Sequence, residues 1–351
     1  KQFDATAFQL IPSGNPMLKD GVFSGKTNVT LSSYPMARIL SLNYFVFLYK
    51  LVRFIRSNNI DIIISYHEKS DITNFLIKKL FGKSVTSISS KRDLGFKLTG
   101  RLRKIIKYIT PKLDAVTAPS NSIKKWLIDD FKLDKEKIHV IKNGVDLSSY
   151  PSATDKKRQL LKSHLNIASY SKIMISVGCL KPIKGHQYLL KAFATFKVQS
   201  IEDWYLVLIG DGELRSELEC QVHKLGIQDH VLFLGYQKNV PEWLLVSDLM
   251  VSATLSEGLS NALIEGCAAG CAIITTNVGG NPEIITNGYN GFLVDPENSE
   301  KMSEALLMLT NSSNLLASMK GNSRIKAITE FSNFSMVSSL EDLYLTYKKS
   351  M

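Results

Sequence analysis

The chain has 351 residues, 44% of them apolar and 21% charged, a composition too apolar and too balanced in charge for global disorder. Its length allows two domains, each able to bury its own core, and no apolar run reaches the roughly 18 residues that cross a bilayer. The net charge of +11 is uneven: residues 1–146 hold 25 Lys and Arg against 12 Asp and Glu, and the remainder holds 18 against 20.

Strands are expected at residues 5–10, 60–65, 84–89, 115–118, 138–141, 172–177, 204–209, 231–234, 249–252, 272–276 and 291–294, with helical patterns between them, for instance at 121–130, 186–198 and 213–225. Short apolar runs alternating with helices predict βαβ units, hence an α/β fold with parallel sheets. Asn143-Gly144-Val145-Asp146 is a turn signal followed by a polar, Lys- and Ser-rich stretch. The boundaries expected are therefore a first domain over 1–148, a second over 149–330, and a last segment, 331–351. Two doubly wound, Rossmann-like domains facing each other place the ligand in the cleft outside the carboxyl ends of their strands.

Three stretches carry chemistry. In Ser256-Glu257-Gly258-Leu259-Ser260-Asn261-Ala262-Leu263-Ile264-Glu265, Ser260 or Asn261 caps a helix running through Ala269. The amides of Leu259, Ser260 and Asn261 then emerge at a helix amino terminus, which binds phosphate readily, and Gly258 allows close approach. Glu257 either faces the site mouth or only complements the helix dipole. Glu265 is either a solvent residue or a carboxylate accepting from two adjacent hydroxyls. Gly178 to His186 also joins a strand to a helix, and Lys184 is either a phosphate counter-charge or an ordinary surface lysine. In Gly279-Gly280-Asn281-Pro282-Glu283, Asn281 reads as a cap, Pro282 as the first helical residue and Glu283 as a first-turn acid.

Taken in chain order, residues 178–186, Gly-Asp-Gly (210–212), Phe-Leu-Gly-Tyr (233–236), 256–265 and Val-Gly-Gly-Asn-Pro-Glu (278–283), with Ala118-Pro119-Ser120 and Asn143-Gly144-Val145-Asp146, resemble glycosyltransferase family 4 over nearly the whole chain. The resemblance implies the GT-B fold and transfer of a sugar, with retention of configuration, from a nucleotide diphosphate donor (a UDP-sugar is favoured). A saccharide or lipid-linked saccharide, including a polyprenyl-linked one, would be the acceptor, in polysaccharide or glycan synthesis. It implies catalytic roles for Glu257 facing the donor sugar, for Lys184 at the leaving phosphate and for His67 near the acceptor. The donor would be held by Gly178, Gly258, Leu259, Ser260, Asn261 and Glu265. No cofactor or metal is expected, and the sequence contains no Asp-x-Asp. Two alternatives are a GT-B nucleotide-sugar epimerase and a non-catalytic glycosyltransferase-like subunit.

Some positions depart from the family pattern. Cys179 stands where an Arg is common, and Lys91-Arg92-Asp93 stands where a histidine is common, so that Arg92 and Asp93 rival His67 for the acceptor. The opening strand and glycine-rich loop are expected to be missing from the first domain. The last segment is expected to form a helix packing back on that domain.

The four cysteines fit no zinc or CxxC spacing and suggest a reducing, cytoplasmic setting. Residues 39–56 and 96–109 read as basic amphipathic helices, which suggests peripheral contact with the inner face of a membrane. No nucleic-acid-binding motif is present, and nucleic acid is not an expected partner.

Overall fold

The computed structural model describes residues 5–11, 29–35, 42–95, 98, 100–151 and 155–348. Strands β1 (Ala5–Ile11) and β2 (Val29–Pro35) pair in parallel as a two-stranded sheet. The second of these was not expected, because its Thr and Ser residues break the apolar run that marks a buried strand.

The first larger sheet is built from β3 (Ile62–Tyr66), β4 (Thr86–Ser90), β5 (Ala115–Ala118) and β6 (Ile138–Val140). Its order is β3-β4-β5-β6, all parallel. Helices α1 (Leu42–Ser57), α2 (Glu68–Phe81), α3 (Gly100–Ile109) and α4 (Asn121–Phe131) belong to this half. The α1 face carrying Tyr44, Phe47, Leu51 and Ile55 is buried against Ile77 and Val85, at the spacing an amphipathic helix requires.

After α5 (Asp155–His164) the second half alternates strictly: β7 (Lys172–Val177), α6 (His186–Gln199), β8 (Trp204–Ile209), α7 (Arg215–Lys224), β9 (Val231–Gly235), α8 (Val240–Val246), β10 (Leu249–Ser252), α9 (Asn261–Ala269), β11 (Ala272–Thr276), α10 (Asn281–Ile284) and β12 (Gly291–Val294). The six-stranded sheet runs β12-β11-β10-β7-β8-β9, again all parallel. Alternate residues of one strand enter different cores: Met174 packs with Phe193, Phe196 and Trp204, and Ile173 and Ile175 pack with Ile264 and Cys267. That is why the strand reads as a continuous apolar run, being covered on both faces. Cys267 and Cys271 are buried here as small apolar groups, and burial pushes both thiols up to about 12.

Helices α11 (Ser299–Thr310), α12 (Ser313–Glu330) and α13 (Asn333–Tyr347) close the chain. Leu343 of α13 packs against Ile88, Ala115 and Ile141 of the first sheet, and the Tyr347 hydroxyl meets His139 Nε2 at 3.0 Å. The chain therefore crosses between the halves twice. The crossings are tied together, since Val145 N donates to Phe331 O at 2.8 Å and Asn333 N to Val145 O at 3.1 Å.

Candidate active site between the two sheets

The loop after β10 and the loop after β7 lie side by side. Leu255 N donates to Ile183 O at 2.8 Å, and Thr254 Oγ1 donates to the same carbonyl at 3.1 Å. This joint places Lys184 Nζ 2.5 Å from Glu257 Oε2, with both side chains largely withdrawn from solvent. The Lys184 stem runs beside Gly178, whose own amide donates to Ile209 O at 2.9 Å.

Ser260 caps α9, its Oγ accepting from Leu263 N at 3.4 Å. Asn261 is the first helical residue, Leu259 is buried and anchors the turn, and Gly258 sits between the two halves. A Cβ on Gly258 would lie 2.8 Å from both Arg92 O and Ile123 Cδ1, so only glycine fits this approach. Gly279 has φ +53°, and a Cβ there would strike the Glu257 carbonyl, which fixes how the two loops stack. Glu265, on the second turn of α9, is half-buried, and burial raises its carboxyl above the ordinary glutamate value. Its negative charge, after burial itself, raises the buried Tyr150 hydroxyl.

The first half reaches into the same place. Ser120 Oγ donates to Gly258 O at 2.8 Å while accepting from Ile123 N at 3.2 Å. Asn143 Nδ2 donates to Asn261 Oδ1 at 2.7 Å, and Arg92 donates to Asn143 Oδ1 at 2.6 Å. Arg92 lies over the Tyr66 ring at 5.5 Å and lines a cavity with Tyr66, Ser90, Pro119, Met336 and Tyr344.

Glu283 is not confined to its own first turn. Its carboxylate accepts from Asn121 N at 3.0 Å, Asn121 Nδ2 at 3.0 Å and Ser122 N at 3.1 Å, and so caps α4 of the other half. Asn281 is not a cap: Gly280 holds that position. The buried Asn281 amide instead turns inward, donating to Thr275 Oγ1 at 3.1 Å and Thr276 O at 3.0 Å.

His67 follows β3 at the cap of α2 with φ 76°, a strained position for a non-glycine residue. Its side chain is exposed and makes no hydrogen bond among the described residues. Asp93 Oδ1 accepts from Gly95 N at 2.7 Å and so shapes its own loop. Among the described residues no three His, Cys, Asp or Glu side chains converge as a metal site would need, and no helix is long and apolar enough to cross a membrane.

The sequence model described as "Glycosyltransferase Family 4" matches residues 10–149, and the model described as "Glycosyl transferases group 1" matches residues 157–326. The chain belongs to glycosyltransferase family 4. It is 29% identical to the N-acetyl-alpha-D-glucosaminyl L-malate synthase of Bacillus anthracis, over 84% of this chain and 77% of that protein. It is 28% identical to the UDP-Gal:alpha-D-GlcNAc-diphosphoundecaprenol alpha-1,3-galactosyltransferase of Escherichia coli, over 88% and 80%. Its two-sheet GT-B architecture superposes on a glycosyltransferase from Rickettsia africae ESF-5 with a TM-score of 0.82, at 20% identity over 99% of this chain and 100% of that one.

In this transferase the amino end of α9 and the loop of the Lys184–Glu257 pair lie next to residues of the first half, and Glu265 follows on the second turn of the same helix. Asn143 was legible only as a turn residue, Ser120 only as part of a family motif and Glu283 only as a first-turn acid, because their partners lie in the other half. His186, the last residue of the lysine motif, is buried. Burial and then the Lys184 charge push its imidazole down to about 4, so it packs as a neutral ring.

Proposed function

We propose that this glycosyltransferase moves a sugar, with retention of configuration, from a UDP-sugar to a saccharide carried on a lipid diphosphate. The observation that carries the reading is the Lys184–Glu257 pair set at the amino end of α9. The amides of Leu259, Ser260 and Asn261, with the helix dipole, suit the donor diphosphate. Lys184 suits the charge that grows on the leaving phosphate as the glycosidic bond breaks, a role open to a fixed cation with no metal or cofactor. Glu257 faces the donor sugar. Glu265, held on a rigid helix, accepts from the two ribose hydroxyls. The E. coli relative's name specifies a UDP-sugar and a lipid-diphosphate acceptor.

On the acceptor side stand His67 and the Arg92–Asp93 loop. The acceptor's lipid would be met by the basic half at the inner membrane face. Helix α1 exposes Leu42, Phe45, Val46 and Tyr49 along one stripe, and α3 exposes Ile105 and Tyr108 beside Arg101, Arg103 and Lys104. Each basic residue near an anionic surface contributes about 1 kcal/mol.

The test is an assay of UDP-sugars against short polyprenyl-diphosphate saccharides, with the product anomer read by NMR. Transfer with retention, lost in Glu265→Ala, supports the reading. Conversion of the donor without any acceptor, or inversion, overturns it. Flotation with anionic vesicles tests the membrane part, which fails if Arg101→Glu/Lys104→Glu binds as the parent does.

A further inference from the structure

The charge balance of the cleft is unfinished. On the second half, Lys184 is the cation beside the α9 amino end, and the Glu257 carboxylate neutralises it at 2.5 Å. In the same loop Cys179 adds no charge and Lys181 is exposed to solvent. A diphosphate brings at least two negative charges, and the helix dipole offers about half a charge.

The first half supplies a guanidinium at this point. Arg92 follows β4, on a loop pinned from below. Lys91 N donates to Thr117 O at 2.9 Å, and the buried Lys91 amine meets the fully buried Asp71 carboxylate at 2.5 Å. Asp71 also accepts from Ser65 and Ser89 hydroxyls, at 2.6 and 2.7 Å. The backbone of Arg92 presses against Gly258 of the donor loop. Its exposed side chain uses one donor on Asn143, which in turn holds Asn261 at the start of α9. No carboxylate among the described residues pairs with it, so the other donors of its fork stay available.

We propose that Arg92 binds a phosphate group in the cleft, opposite the amino end of α9, and supplies the positive charge that the Lys184–Glu257 pair withholds. The proposal rests on the donor site assigned above. The phosphate has two possible sources with the same chemistry, the donor's diphosphate and the diphosphate of a lipid-linked acceptor. A planar guanidinium backed by the Tyr66 ring suits either through paired N–H···O bonds.

The experiment titrates the parent, Arg92→Lys, Arg92→Gln and Asn143→Ala with inorganic pyrophosphate, UDP and uridine by calorimetry, and measures the acceptor KM at saturating donor. If the donor's phosphate is the ligand, Arg92→Gln loses at least tenfold in UDP and pyrophosphate affinity and Arg92→Lys loses less, with uridine unchanged. If the acceptor's phosphate is the ligand, those affinities hold and the acceptor KM rises at least tenfold. No change in either, or a loss in Asn143→Ala as large as in Arg92→Gln, overturns the proposal, because Arg92 then acts only by orienting Asn143. Should the parent bind no uridine nucleotide, the donor assignment fails, and the pyrophosphate titration still decides Arg92. An apo melting temperature equal to the parent's in Arg92→Lys keeps misfolding out of the comparison.

Discussion

Lys184 Nζ and Glu257 Oε2 stand 2.5 Å apart, so the cation of the loop after β7 and the carboxylate just before α9 neutralise one another. Removing either partner exposes the charge of the other. Lys184→Ala should lower kcat by roughly 10²- to 10³-fold, the range for losing one group that stabilises developing charge. Glu257→Gln should also lower turnover, yet bind UDP several-fold tighter, because Lys184 is freed for the phosphates. Kinetics and calorimetry on the two variants check this. UDP binding that weakens in Glu257→Gln would refute the pairing as a control on phosphate affinity.

The Glu265 carboxyl is raised by burial, so the folded protein binds a proton there at a pH where the unfolded chain does not. Between the ordinary glutamate value and the raised one, this group's share of stability falls as pH rises and is recovered as pH drops. In the role proposed for Glu265, nucleotide affinity should move the opposite way, because a carboxylate can accept from two hydroxyls and a carboxylic acid must donate from one oxygen. Thermal-shift curves for UDP across pH 4–7 should therefore show binding lost on the acid side. Glu265→Gln should flatten that dependence, binding more weakly than the parent near neutral pH and like it on the acid side; a pH profile identical to the parent's would place the titration elsewhere.

Glu283 accepts from three N–H groups at the start of α4, across the cleft. A cap of this kind contributes about 0.5–2 kcal/mol. Glu283→Ala should shift the protein toward an open arrangement, with a larger radius of gyration in X-ray scattering and a higher donor KM at little-changed kcat. Adding Asn121→Asp returns a carboxylate to the same helix end without bridging the halves. Stability should recover in that double variant and donor KM should not, whereas full recovery of KM would reduce Glu283 to a helix cap.

Asp71 and Lys91 form a buried ion pair whose carboxylate also accepts from Ser65 and Ser89. Leaving Lys91 charged and alone is the severe change. Asp71→Ala should destabilise the protein by about 3–5 kcal/mol in urea unfolding. Asp71→Leu/Lys91→Met, which removes both charges, should cost far less. Equal losses in the two would mean that the pair acts by packing volume.

Much of the second half was legible because its strands are covered on both faces: Lys172–Val177, Trp204–Ile209, Leu249–Ser252, Ala272–Thr276 and Gly291–Val294 stand where their apolar runs do. A cap at Ser260 or Asn261 was legible for a related reason, since its partner lies within one turn, and the structure selects Ser260, which accepts from Leu263. The contacts that assemble the cleft were not. Glu283 to Asn121, Asn143 to Asn261 and Ser120 to Gly258 span more than a hundred residues each. Local patterning carries no record of them, because they depend on how two separately folded halves meet. Asn281 misled for the opposite reason: its cap-like setting is real, but a buried amide between Thr275 and Thr276 gains more by bonding inward.

The two crossings of the chain lie against each other along one edge, bonded through Val145 to Phe331 and Asn333. Twin tethers on a shared line resist sliding and leave a swing as the easy motion. Asn143, two residues before Val145, bonds Asn261 at the start of α9, and Ser120 bonds Gly258, so these contacts lie near the tether line and move little in such a swing. Positions far from the tethers travel most, so the outer part of the entrance can widen while the loops carrying Lys184 and Glu257 barely bend.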